Sequence, residues 1–199
     1  MACNLNHVKK SGNACLENPA GVSNYCMIIP FASVYEGTQT STDGFIESVV
    51  INESKNQYDI TFANSGSGTA VAKGYRIDFK NQTGQVTSED NGAGKANTVT
   101  GTGRVEIGID EMAVLSRTLS NLDGNFLAFF PTGNKKVVTE GAEAVTEWLV
   151  VGNPSGDIAW SRTTDTGAAR GDDHGTTFTV VCDYQVYDTV KFYGEINEA

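Results

Sequence analysis

The 199-residue chain predicts a mainly β protein: an antiparallel β-sandwich with one flanking amphipathic α-helix, an extended N-terminal arm and a long loop. Three observations carry that prediction. Glycine is frequent (22) and proline scarce (4), and the glycines break up short β-branched runs, as turns break up strands. Clean alternation follows: Tyr58, Ile60 and Phe62 alternate with Asp59 and Thr61, and Tyr75, Ile77 and Phe79 with Arg76, Asp78 and Lys80. A period of two with one polar face marks strands that cover one side of a core. Helical periodicity stands out once, where Met112, Leu115, Leu119 and Leu122 form a stripe.

Residues 1–24, rich in Asn, Gly, Lys and Ser, read as an arm, and 25–199 as a single β-sandwich domain. Tyr25–Val34 is the first predicted strand, with Pro30 suggesting an edge or a bulge. Phe45–Ile51 is the second, and the alternating segments above supply the next two. Asn81–Asn97 reads as a loop long enough to imply a function or ordering on binding. Alternation resumes over Thr98–Ile109, with Val105, Ile107 and Ile109 on one face. Gly101 and Gly103, in a strand run, indicate a bulge or a close backbone approach. The helix spans about 110–123, with Asp110 as N-cap and Gly124 as the left-handed stop. Asn125–Pro131, NFLAFFP, is a continuous apolar run that fits a strand buried on both faces. Lys135–Val138 and Val145–Val151 are the next strands, the second followed by a turn over Gly152–Gly156. Thr176–Tyr184, with Phe178, Val180, Cys182 and Tyr184 on one face, and Val186–Ile196 complete the set.

Net charge is −10 and the pI near 4.6, which argues against a protein that grips nucleic acid or an anionic membrane, since both need a basic face. No stretch approaches the roughly 20 apolar residues of a membrane span, and the N-terminus has no apolar core of a leader, so the expectation is a soluble protein made in a cytoplasm. In that setting a disulfide framework is not expected, and the sequons at Asn52 and Asn81 have no role. Cys3, His7, Cys15 and Cys26 lack the paired spacing of a structural zinc site. Cys26 and Cys182 sit in strand contexts, where a thiol packs as a small hydrophobe.

Sequence motifs select no chemistry. Asp172, Asp173 and His174 are adjacent and diverge in direction, and Arg170-Gly171-Asp172 is explained by turn chemistry. No nucleophile elbow, phosphate loop, zinc-protease motif or dinucleotide fingerprint is present. The expectation is a protein that is not an enzyme, with no catalytic residue, cofactor or metal.

Several segments together resemble a known group. CLENPAGVSNYCMIIPF resembles the opening of tail proteins of tailed phages that infect Bacteroidetes. VEIGIDEMAVLSRTLSNLDGNFLAFFPTGNKK resembles their strand, helix, strand and turn, and EWLVVGNPSGDIAW followed by TDTGAARGDDHGTTFTVVCDY resembles their ending. The resemblance implies a virion structural protein, in particular the major tail tube subunit. Such subunits form a β-sandwich with a flanking helix and are similar to the hexameric rings of other tails, which stack through loops and arms around a DNA channel. The implied partners are further copies of the chain, other tail proteins, and genomic double-stranded DNA that passes without sequence recognition. No membrane is implied. The implied place is the virion tail, assembled in the host cytoplasm. Two other readings are a capsid decoration, neck-ring or baseplate protein, and a carbohydrate-binding sandwich using Trp148 and Trp160, although Trp148 in EWLVV looks like core. An enzyme with a scattered site is the last.

Overall fold

The protein is described from a computed structural model over residues 22–35, 42–55, 57–66, 70–92, 97–105, 116–117, 119–138, 140–165, 175–187 and 189–199. Cys3, His7, Cys15, the Arg170–His174 motifs and the predicted start of the helix lie outside these residues.

Among the described residues, twelve strands form two sheets. In chain order they are β1 (Tyr25–Pro30), β2 (Ile46–Asn52), β3 (Gln57–Phe62), β4 (Ala72–Asp78), β5 (Gln85–Glu89) and β6 (Asn97–Val105), then β7 (Phe126–Lys136), β8 (Val145–Val151), β9 (Ala159–Asp165), β10 (Gly175–Gln185), β11 (Val190–Tyr193) and β12 (Ile196–Glu198). The large sheet runs β12-β4-β1-β7-β8-β11-β3-β2, and the small one β5-β6-β10-β9. Most pairs are antiparallel, but β11–β3 and β12–β4 are parallel, so the large sheet is mixed.

β7 is the centre of the large sheet, and the doubly buried strand predicted from NFLAFFP is there. Phe126, Ala128 and Phe130 face a core shared with the small sheet, while Leu127 and Phe129 face a second core on the other side. The first core also takes Cys26 and Ile28 of β1, Phe178, Val180 and Cys182 of β10, and Leu119 and Leu122. The second is enclosed because the large sheet curls. Gly44, leading into β2, donates to Ala63 O and accepts from Lys73 N of β4, at 2.8 and 2.9 Å, so opposite ends of the strand order meet. Tyr58, Trp148 and Phe192 fill that enclosure, and Phe192 meets Phe129 edge to face at 5.6 Å.

Residues 116–117 and 119–122 are helical, and the helix ends at Asp123 and Gly124, both with positive φ (47° and 76°). Leu119 and Leu122 are buried, as the apolar stripe requires.

Several expectations are corrected. β1 is an interior strand, and Pro30 closes it, so the missing N–H falls where the ladder ends. The arm gives way to docked chain by Val22: that side chain packs on the first core, and Asn24 O accepts from Phe79 N at 2.6 Å. The predicted loop over 81–97 contains β5, a polar edge strand whose alternation is too weak to read. β9 was not predicted for the same reason: AWSRTTD carries one large apolar side chain. Val137 and Val138 extend no strand and are about half exposed. Tyr184 leaves the Phe178 face because the β10 register shifts between Cys182 and Gln185, which sends Gln185 inward in its place.

Gly101 and Gly103 mark a close approach. A Cβ on either would stand 2.4 Å from the nearest ring atom of Phe130 or Phe79, which stack with centroids 6.1 Å apart. Gly101→Ala and Gly103→Ala should therefore each destabilise the fold by about 1–3 kcal/mol, the usual cost of overpacking. Urea unfolding would read this as a lower midpoint with an unchanged slope.

Candidate functional site: a polar edge, an acidic cavity and a buried carboxylate

Three features could serve function. The first is the small sheet. Its inner face packs Val86, Val99, Val105, Phe178, Val180, Cys182 and Trp160 on the first core and also carries Ser88, Arg162, Thr164 and Thr176. Register fixes what the outer face carries: Gln85, Thr87 and Glu89 on β5, and Thr98, Thr100, Thr102 and Arg104 on β6. Thr177, Thr179 and Val181 follow on β10, then Ala159, Ser161, Thr163 and Asp165 on β9. The face is dominated by short hydroxyl side chains. No described strand pairs with the free side of β5 or of β9. Neither strand contains proline or lysine, and neither ladder shows a register shift; the charges on them are Glu89 on β5 and Arg162 and Asp165 on β9. Of the devices that usually blunt an exposed edge, these edges have charge but neither proline nor a bulge.

The second is an open cavity of about 500 Å³ where the helix end, the 152–158 turn and the end of β10 meet. Asp123, Asp157 and Asp183 line it with Ser120, Trp160 and Tyr184. Its walls contribute mainly hydrogen-bond acceptors and two aromatic rings. Among the described residues, no group of three or more His, Cys, Asp or Glu is arranged to hold a metal ion.

The third is Glu147 on β8, 8% exposed. Oε2 accepts from Lys191 Nζ and from the Tyr193 hydroxyl, both at 3.0 Å. Oε1 lies 3.1 Å from the Thr132 hydroxyl, and Asn134 Nδ2 donates to it at 3.3 Å. A bulge in β7 between Pro131 and Lys135, with Gly133 at φ 78°, aims Thr132 and Asn134 across to β8. Lys136 Nζ stands 4.4 Å above the Tyr193 ring. Burial raises the Glu147 pKa, but hydrogen bonds from Lys191 and Asn134, the Lys191 charge and the Tyr193 hydroxyl outweigh it and hold the carboxyl below its ordinary value. Tyr193 moves the other way, to about 12, through burial and its bond to the carboxylate.

The remaining sequence candidates fall into place. Cys26 and Cys182 are free, buried members of one core, and burial raises both thiol pKa values, so packing is their role. Trp148 is in the second core, packs edge to face on Tyr25 and donates Nε1–H to Gly194 O at 2.8 Å, whereas Trp160 sits at the first core and the cavity. The two indoles therefore cannot form one sugar platform. Sequence reasoning missed Glu147, whose partners lie 13 to 46 residues away. The one local signal was an acidic residue inside the apolar run VTEWLVV.

Among the described residues, no helix is long and apolar enough to cross a membrane. Comparison with protein-family models, curated proteins and solved structures finds no match.

The Glu147 network gives a pH prediction. A carboxyl held below its ordinary pKa in the folded state stabilises fully above that ordinary value, 4.5, and the stabilisation is lost as pH falls through the folded pKa. Stability should decline as pH drops below about 4.5. Glu147→Gln should be less stable at neutral pH and should lose less over that acid range. Thermal unfolding of both proteins across pH 3–7 checks this.

Proposed function

We propose that the protein is a virion structural subunit, most specifically the major tail tube protein of a tailed phage, which assembles into stacked rings around a DNA channel. The observation that carries the reading is the small sheet with two edges, β5 and β9, that no described strand covers. These edges differ from each other, so pairing β9 of one copy with β5 of the next is a heterologous contact, and such contacts close into rings when the rotation fits. Ring closure satisfies both rows of unpaired backbone groups at once.

The outer face of that sheet then becomes the channel wall. Thr87, Thr100, Thr102, Thr163, Thr177 and Thr179 present hydroxyls and little positive charge. Such a wall wets readily and offers few of the phosphate contacts that would hold DNA in place. The net charge of −10 adds long-range repulsion of the same sign. The alternative of a decoration, neck-ring or baseplate protein shares the virion setting, and a single ring that does not stack into a tube would favour it.

Negative-stain microscopy of the concentrated protein tests the reading. Stacked rings or tubes with a central hole are expected. Thr87→Lys and Thr163→Lys place a charge on each edge and should each abolish assembly while the circular dichroism spectrum stays unchanged. Monomers of the unaltered chain at every concentration, or assembly that ignores both substitutions, would remove the edge-pairing basis of the proposal.

A further inference from the structure

Glu147 does more than pair with a cation. Its two oxygens hold an amine, Lys191 Nζ at 3.0 Å, and a primary amide, Asn134 Nδ2 at 3.3 Å. The three residues come from β11, β8 and β7, which are adjacent, with the carboxylate on the middle strand. We propose that Lys191 and Asn134 join in an autocatalytic isopeptide bond across β8, with Glu147 as the proton relay. The inference is independent of the assembly reading.

The chemistry needs a nucleophile, an electrophilic carbon, a base in reach of both and a fixed geometry. Each is present. Lys191 supplies the nitrogen and Asn134 Cγ the carbon. Glu147 touches the groups on both sides, within the reach expected of a general acid–base. Its carboxylate cannot rotate away, because Thr132 and Tyr193 hold the same two oxygens. Asn134 is aimed by the β7 bulge and by its own backbone N–H, which donates to Thr132 Oγ1 at 3.3 Å. The Glu147 side chain is 10% exposed and that of Lys191 39%, so the relay is shielded from water while one open side lets a small product leave.

The step balances without oxidant or reductant. Lys191 Nζ passes a proton to Glu147 Oε2, and the freed electron pair adds to Asn134 Cγ. Glu147 delivers that proton to Nδ2 and takes the second one from the attacking nitrogen. The Cγ–Nδ2 bond breaks, the Cγ–Nζ amide remains, and ammonia leaves. The last proton follows it as ammonium, which returns Glu147 to its ionised form. One amide replaces another, and no electrons are gained or lost.

The test is the intact mass of the purified full-length chain. The expected mass is lighter than the sequence by one ammonia, and digestion should yield a branched peptide joining the segments that contain Asn134 and Lys191. Lys191→Arg keeps the positive charge and Asn134→Ala removes the electrophile. Both should show the full sequence mass with a native circular dichroism spectrum, and Glu147→Gln should show little or no mass loss. An unmodified wild-type mass after prolonged incubation would overturn the proposal. So would an ammonia-light species that persists in Lys191→Arg, because succinimide formation at any asparagine gives that mass without the lysine. The branched peptide from wild type decides the matter even where a variant fails to fold.

Discussion

The structure depends on a strand with no solvent face. Phe126–Phe130 is buried on both sides, so it cannot form until the large sheet has curled beneath it and the small sheet has closed above it. Burying side chains of this size is worth about 1.5–3 kcal/mol each, and neither face can be given up without exposing the other core's wall. This explains why the glycines at 101 and 103 are glycines. The small sheet must descend far enough for its backbone to lie on the Phe130 and Phe79 rings, and a methyl group at either point would hold it off.

The same constraint fixes where polar groups may enter. Three ladders shift register: β2 near Ile46, β7 after Pro131 and β10 after Cys182. The β10 shift brings Gln185 fully inside, where it accepts from Gly152 N at 2.9 Å and donates to Val150 O at 3.1 Å. It thereby hydrogen-bonds one backbone group of the turn and one of β8. The β7 shift does the corresponding work for Glu147 by delivering Thr132 and Asn134 to it. Bulges here are the points at which a regular apolar lattice admits a hydrogen-bonded polar centre.

What the sequence discloses follows from this. Strands with at least one buried face announce themselves: β3, β4, β7 and β8 follow from alternation or from continuous apolarity, and Leu119, Leu122 and Gly124 give the helix end. β5 and β9 are illegible because they contribute little to a core. Their residues are chosen for an edge and an outer face, which leaves no periodic apolar signal. Tyr184 is misplaced for a different reason: a one-residue shift inverts every later side chain, and nothing in CDYQV marks it. Glu147 could be noticed in VTEWLVV, but its partners are assembled by strand order and bulge geometry, which no local pattern carries.

The illegible elements are also the ones on which the functional reading rests, and the coincidence has a physical origin. A strand that serves its own core must be apolar on one face, and one that waits for a neighbour must avoid being so, or it would collapse onto the wrong surface first. β5 and β9 satisfy that requirement mainly with hydroxyls, with Glu89, Arg162 and Asp165 as their charged residues. Ser and Thr leave the backbone groups available for pairing at little desolvation cost. On the proposed assembly reading, a mainly hydroxyl-bearing edge on an acidic chain would be protected by net repulsion at a distance and open to pairing at contact. The balance between the two should be set by ionic strength, because screening weakens the first and leaves backbone hydrogen bonding unchanged.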